Sequence, residues 1–241
     1  MSDPHSMVNP NGGVEGRRRE AKPALHVALM EEVLAAENLR RAWKRVKANR
    51  GAPGSDGMRI EDFAAFAREQ WPTIRKRLSD GSYRPQPVRR VMIPKPGVGE
   101  RPLGIPTVTD RLIQQAIAQV LTPIFDPGFS ESSFGFRPKR SAHGALRQVQ
   151  AHIRSGYRIA VDLDLAKFFD NVQHDILMAR VARRVSDKRL LALIGRYLRA
   201  GVMVGETFEP SELGTPQGGP STPRTQKVTL TAGGALRVTE R

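Results

Sequence analysis

Val161-Asp-Leu-Asp-Leu-Ala-Lys-Phe-Phe-Asp-Asn-Val-Gln-His-Asp175 is the stretch on which the reading of the chain turns. Leading into it, Tyr157-Arg-Ile-Ala-Val-Asp-Leu163 alternates apolar and polar residues with β-branched members, the pattern of a strand. On a strand, Asp162 and Asp164 lie two apart and share a face. A carboxylate at the end of a buried strand is costly unless a cation or hydrogen bonds satisfy it. Hard cations such as Mg²⁺ are held by one or two carboxylates together with substrate phosphates. A lone D-x-D is more often a solvated strand end, so the weight of this one comes from the rest of the chain.

The 241 residues carry 39 Lys and Arg against 24 Asp and Glu, a net charge of +15. That imbalance points to a polyanionic partner, most simply nucleic acid, without separating a polymerase from a basic binding protein. There is no cysteine, which excludes a disulfide framework and a thiolate metal site. No apolar run approaches the ~20 residues of a membrane span, and the polar N-terminus has no signal-peptide pattern. The expectation is an intracellular chain with no membrane partner.

Residues 1–23 read as a disordered basic leader ending in Arg17-Arg-Arg19. A helical pattern runs from Leu25 to Ala48 with a break near Asn38. Its second half carries Arg40, Arg41 and Lys44, which suit a nucleic-acid backbone or simply complement the helix dipole. Gly51-Ala-Pro-Gly-Ser-Asp-Gly57 is a tight loop with Ser55 or Asp56 as a cap. Ile60 to Leu78 follows as a helix or helix pair, with Pro72 opening its second part and Trp71 in the core. Val88–Ile93 is a short strand. Lys95 and Arg101 flank the Gly/Pro-rich loop after it, where a point charge and a fork could clamp a polyphosphate. Asp110 to Phe125 is a helix capped by Thr109 or Asp110. In the loop from Ser132 to His143, Phe134, Phe136 and Arg137 could hold bases and backbone of a single strand, or both rings could pack beneath the loop. Ser141 caps the next helix. Ile176 to Ala200 is helical with a break at Ser186-Asp187, a small hairpin turns at Gly205, and Gly214-Thr-Pro-Gln-Gly-Gly-Pro220 lets backbone approach a ligand.

Four motifs occur in one order: Lys95…Arg101-Pro-Leu-Gly-Ile-Pro, Ser133-Phe-Gly-Phe-Arg-Pro-x-Arg-Ser-x-His, Asp164-x-x-x-Phe-Phe-Asp and Gly214-Thr-Pro-Gln-Gly-Gly-Pro. The series resembles the reverse transcriptase domain of bacterial group II intron-encoded proteins. Asn38-Leu-x-x-Ala-Trp-Lys-x-Val-Lys and Gly54-x-Asp-Gly resemble the extension that opens that family, so the resemblance covers about Leu25 to Pro220. It implies an α+β right-hand polymerase: mostly helical fingers with a small β element over residues 24–150, and an incomplete palm over 151–220. It further implies RNA-templated DNA synthesis with Mg²⁺, an intron RNA template, a DNA primer and deoxynucleoside triphosphates, and a part in splicing. Asp164 matches the first metal-binding, catalytic aspartate, with the Leu165 carbonyl as an added ligand. Lys95 and Arg101 match the triphosphate contacts, Phe169 the ring against the nucleotide sugar, and Gln217 and Gly218 the loop closing over the nucleotide. Arg40, Arg41, Lys44, Phe136, Arg137 and Arg140 are the candidate nucleic-acid contacts. Asp162 has no matching role, and Asp170 reads as a local acceptor.

The second metal carboxylate of that family comes from a Tyr-x-Asp-Asp hairpin, and these 241 residues contain no adjacent Asp-Asp pair. Residues 221–241 diverge from the apolar helix expected there, as a frameshift or truncation would make them. The expectation is a polymerase by ancestry that, as this chain of 241 residues, does not polymerise. The alternatives are a non-catalytic intron RNA-binding or splicing module, an inert remnant, or a half complemented by a second chain.

Overall fold

The computed structural model describes His26, residues 28–94, 99–162, Leu165 and residues 167–216. The basic leader, Leu25, Lys95, Asp164, Gln217, Gly218 and the divergent tail all lie outside the described residues.

The first helical pattern forms α1 (Leu29–Val33) and α2 (Ala36–Ala48). The break falls at Leu34-Ala35, ahead of the Asn38 expected to cause it. Asn38 sits buried inside α2, where its Nδ2 donates to the carbonyls of Val33 and Ala116 at 3.1 Å each. A polar residue that reads as a breaker is here a bolt between helices, because burial obliges its amide to find partners. Helix α3 (Phe63–Ser79) is continuous through Pro72, against the expected restart. Phe66, Trp71 and Ile74 pack onto the core on both sides of the proline, and tertiary packing carries the helix across it.

Strands β1 (Val88–Pro94) and β2 (Glu100–Ile105) form an antiparallel pair in which Ile93 faces Arg101 and Arg90 faces Gly104. Helix α4 (Val108–Phe125) then passes through the centre of the molecule, packed on α1 and α2. Its cap is Thr107, whose Oγ1 accepts from the Asp110 N–H at 3.1 Å; the expected caps Thr109 and Asp110 are instead buried within the first turn. A 3₁₀ turn (Asp126–Gly128) leads into the basic loop and α5 (Ala142–Arg154), capped by Ser141 as expected. A second 3₁₀ turn (Phe168–Asn171) precedes α6 (His174–Ala182) and α7 (Lys188–Leu198). The hairpin β3 (Val202–Val204) and β4 (Thr207–Glu209) turns at Gly205 and completes a sheet of order β2-β1-β3-β4, with β3 parallel to β1.

The strand expected over 157–163 is not formed across its described part. Residues 157–162 run without ladder partners, and Tyr157, Ile159 and Val161 are 61%, 77% and 69% exposed. Alternation specifies a strand only where a neighbouring strand takes up its N–H and C=O groups. Helix α5, just before it, buries none of its residues and shows Leu146, Val149 and Ile153 to solvent.

Two aspartates hold the helical part together. Asp110 is 1% exposed and accepts from Tyr83 Oη (2.8 Å), Tyr197 Oη (2.9 Å), Thr107 Oγ1 (2.9 Å) and the Gln86 N–H (3.1 Å). Burial pushes its carboxyl up despite those donors. Asp187 caps α7 through the Arg189 and Leu190 N–H groups and also accepts from the Met30 N–H at 2.9 Å, fastening α1 to α7. Burial alone would raise the Asp187 carboxyl, but the Met30, Arg189 and Leu190 donors outweigh it and hold it below the usual aspartate value. The folded chain therefore releases this proton more readily than the unfolded chain. The resulting stabilisation is present above the unfolded value of about 3.9 and is lost as pH falls through the lower folded value. Asp187→Asn is expected to lower stability by about 1–3 kcal/mol at neutral pH. In urea melts, the gap between Asp187→Asn and the parent should narrow below about pH 4.

Candidate nucleotide and nucleic-acid site

Three segments distant in sequence meet where the sheet abuts the 3₁₀ turn Phe168–Asn171. The Thr215 N–H donates to the Phe169 carbonyl at 2.7 Å, and the Gly214 N–H donates to that of Val172 at 2.9 Å. His174, buried at the head of α6, donates from Nε2 to the Gly214 carbonyl at 2.7 Å, since a carbonyl can only accept. Gly214 has φ +81°, and a Cβ there would stand 2.8 Å from the Phe169 carbonyl oxygen. Only glycine fits that approach. On the sheet side, a Cβ on Gly104 would meet the Pro216 Cβ at 2.7 Å, so β2 and the Gly214 loop touch directly.

The double phenylalanine splits in two. Phe168 packs against the core while Phe169 stays half-buried, with their rings 5.7 Å apart and nearly perpendicular. Lys167 takes φ +49°, and its carbonyl accepts from the N–H groups of Asp170 and Asn171 and from Asn171 Nδ2. A non-glycine held there costs about 1–3 kcal/mol. Leu165 is exposed. Arg101 is exposed and, paired with Ile93, projects from the opposite face of the hairpin to Arg90 and Met92. On the Arg90 face lies a cavity of about 520 Å³, bordered by Met92, Gly104, Asp170, Thr215 and Pro216. Among the described residues no three acidic or histidine side chains converge as a metal cage. The oxygen donors of this segment are of the kind Mg²⁺ takes, and the aspartate expected to lead them, Asp164, lies outside the described residues.

A second region gathers cations. Arg41, Lys44 and Arg45 of α2 line a groove of about 730 Å³ with the C-terminal end of α4, Asp126 and Pro138. Residues nearly a hundred positions apart thus share one wall. Arg40 is exposed and pairs with Glu37 at 3.3 Å, a contact worth little in water. Arg137 corrects the expectation of a backbone contact. Its side chain is 5% exposed, and all its N–H groups are engaged: with Asp126 Oδ1 (3.0 Å), Oδ2 (3.2 Å) and carbonyl (3.0 Å), and with the carbonyls of Ser130 (2.7 Å) and Ser133 (3.1 Å). A guanidinium so satisfied has no donor left for a phosphate. Its work is to fold the loop. Arg140 stacks on Phe134 at 5.4 Å and pairs with Glu131 at 2.5 Å, which holds the Glu131 carboxyl below its ordinary value. Phe134 therefore packs, whereas Phe136 is 78% exposed at φ +53°. Lys139, also exposed and at φ +60°, stands on the same loop, and the sequence reading did not single it out. His174 was likewise missed; a histidine opening a helix gives no sign that its ring will meet a loop forty residues on.

An antiparallel fingers hairpin on a helical base, a glycine loop docked behind an aromatic turn, and a basic groove define the class: a nucleic-acid polymerase fingers region joined to the start of a palm. The comparisons agree. The family model of the reverse transcriptase (RNA-dependent DNA polymerase) matches residues 93–232 and so runs past Pro220, where the sequence resemblance was read as lapsing. Protein YkfC of Escherichia coli (strain K12) is 35% identical over 215 residues, 86% of this chain and 56% of that protein. Group II intron-encoded protein LtrA of Lactococcus lactis subsp. cremoris is 37% identical over 190 residues, 78% of this chain and 31% of LtrA. The chain thus spans about half of one relative and less than a third of the other. Among solved structures, a partial Cas6-RT-Cas1–Cas2 complex superposes with a TM-score of 0.58 at 22% identity, covering 85% of this chain and 34% of that one. That likeness shows the fold alone. The chain belongs to the reverse transcriptase family, on the branch of the group II intron-encoded proteins. No helix among the described residues is long and apolar enough to cross a membrane.

The strained loop yields a paired expectation. Phe136→Gly relieves a left-handed φ and should raise stability by about 1 kcal/mol. Arg137→Ala should lower it by about 3 kcal/mol by removing five hydrogen bonds, two of them to the Asp126 carboxylate. Differential scanning calorimetry of the two variants checks both signs.

Proposed function

We propose that these residues are the fingers and the opening of the palm of a group II intron reverse transcriptase, which copies RNA into DNA from a DNA primer. The observation that carries this is the meeting of the β2 root, the Phe168–Asn171 turn and the Gly214 loop in one place. The turn and the Gly214 loop each bring an element of a nucleotide site, and the β1–β2 hairpin carries the cations nearer its tip. Arg101, with Lys95, binds the triphosphate as a fork beside a point charge. Phe169 lies against the sugar and excludes a 2′-hydroxyl. Gln217 and Gly218, directly after the docked Thr215-Pro216, close over the nucleotide. Asp164 and the Leu165 carbonyl would hold Mg²⁺, which would supply positive charge against the triphosphate and the primer 3′-hydroxyl. Arg40, Arg41 and Lys44 of α2 hold template phosphates, and Phe136 offers an exposed ring for a base.

With no Asp-Asp pair in the 241 residues, one of the two carboxylates that phosphoryl transfer needs is not among them. We therefore infer that this polypeptide by itself does not extend a primer but does bind RNA. Primer-extension and filter-binding assays on the 241-residue chain test both halves together. Extension with Mg²⁺ would refute the first half, and absence of salt-sensitive RNA binding would refute the second. Phe136→Ala should weaken single-stranded RNA binding by about 1–3 kcal/mol, the value of one base stack.

A further inference from the structure

The cavity of about 520 Å³ on the Arg90 face of the sheet lies across the strands from Arg101, and so faces away from the triphosphate contact proposed for that residue. Its size is that of a small-molecule site. In a chain of net charge +15, its lining carries three carboxylates, Asp170, Glu209 and Glu212, against one cation, Arg90. Arg90 and Glu209 answer each other at 2.8 Å. Asp170 and Glu212 are exposed, and neither has an ion pair among the described residues. The wall also holds Thr215, 8% exposed, whose Oγ1 is buried without a hydrogen-bond partner. A buried hydroxyl left unpaired is destabilising. The Thr215 N–H is spent on the Phe169 carbonyl and the residue fronts the cavity, so a group seated there is the partner that the hydroxyl lacks. The rest of the wall is largely apolar, formed by Val88, Met92, Leu103, Val202, Leu213 and Pro216. Gly104 permits it to close, since a Cβ there would stand 2.9 Å from Val88 Cγ2.

Two unpaired carboxylates, an unanswered hydroxyl and an apolar wall select a ligand with several N–H donors on a hydrocarbon stem. A metal ion is a poorer match. No three acidic or histidine side chains converge among the described residues, and an apolar wall offers Mg²⁺ no oxygen. We propose that this cavity binds a linear aliphatic polyamine. One ammonium group pairs with Asp170 and another with Glu212, while the methylenes lie on Met92, Leu213 and Pro216. An ammonium N–H donates to Thr215 Oγ1. Arg90 stays on Glu209 and bounds the site on the sheet side. Asp170 belongs to the turn that carries Phe169, whereas Glu212 and Thr215 belong to the segment of the Gly214 loop. A bound polyamine therefore staples turn, loop and sheet together behind the nucleotide site without entering it. The site needs neither RNA nor primer extension.

The test is calorimetric titration of spermidine into the 241-residue chain, free of RNA and at constant ionic strength. Saturable binding of one spermidine per chain is expected, with a rise in melting temperature. Asp170→Asn and Glu212→Gln should each weaken binding about tenfold, the loss of a hydrogen bond to a charged group, and Thr215→Val about fivefold. Propylamine, with a single ammonium group, should bind about tenfold more weakly than spermidine. Glu206→Gln, on the exposed β3–β4 turn and outside the cavity lining, should bind as the parent does. Both cavity carboxylates are exposed, so their variants keep the fold and decide the matter even where Thr215→Val does not. Absence of saturable binding by the parent would overturn the proposal. So would unchanged affinity in both carboxylate variants, which would place the polyamine elsewhere. Equal weakening by Glu206→Gln would make spermidine a diffuse counterion, and equal affinity for Mg²⁺ would make the cavity a metal site; either result overturns the polyamine assignment.

Discussion

The carboxylate of Asp110 is the interaction on which the molecule depends. It is buried to 1% exposure and receives donors from the connector before β1, from the residue preceding α4, and from α7. Gln86 stands just before the hairpin β1–β2 and Thr107 just after it, so one side chain ties both roots of the fingers hairpin. Tyr197 ties the same point to the helix that leads into β3. Desolvation makes such a group expensive and its donors indispensable. Burial also pushes both tyrosine hydroxyls well above their ordinary pKa, so each remains a donor. The Asp110 cluster thus holds both roots of the hairpin rigid.

The same economy operates around the Arg137–Asp126 pair. A basic loop that served only as an electrostatic lure could be loose. Here its most arginine-like ligand is spent inward on Asp126, Ser130 and Ser133, and the outward-facing groups are Phe136 and Lys139. The sequence motif Phe-Gly-Phe-Arg-Pro therefore contains a scaffold residue and a displayed residue side by side. Spacing cannot tell them apart, because both readings need an arginine.

Much of the fold was legible because it is local. The periodicities of α2, α4 and α7, the cap at Ser141, the break at Asp187 and the turn at Gly205 follow from residues near one another in the chain. The failures share a cause of the opposite kind. Asn38, Pro72 and the 157–163 alternation were each judged by local preference, and each outcome was settled by what lies across the fold. Asn38 found Ala116, and Pro72 was carried by packing on either side. Residues 157–162 have no partner strand among the described residues, so their apolar alternation stays exposed, and exposed apolar surface promotes association. At the site, glycine motifs announced the Gly214 loop, but nothing in the sequence announced His174 beneath it.

Backbone strain separates the displayed residues from the scaffold. Among the described residues, the non-glycine positions with left-handed φ are Arg50, Phe136, Lys139 and Lys167. Glycine or asparagine would occupy these at less cost. A side chain kept in such a conformation, at about 1–3 kcal/mol each, must contribute something glycine lacks. Three of the four are cations and the fourth is an exposed aromatic ring, the two chemistries that hold phosphates and bases. Core packing does not explain them, since none belongs to the buried cluster. Arg50 stands just past the end of α2, Phe136 and Lys139 stand on the basic loop, and Lys167 begins the turn that carries Phe169. Strain, positive charge and ring exposure thus coincide on the surfaces assigned to RNA and nucleotide, and the relaxed backbone elsewhere supports them.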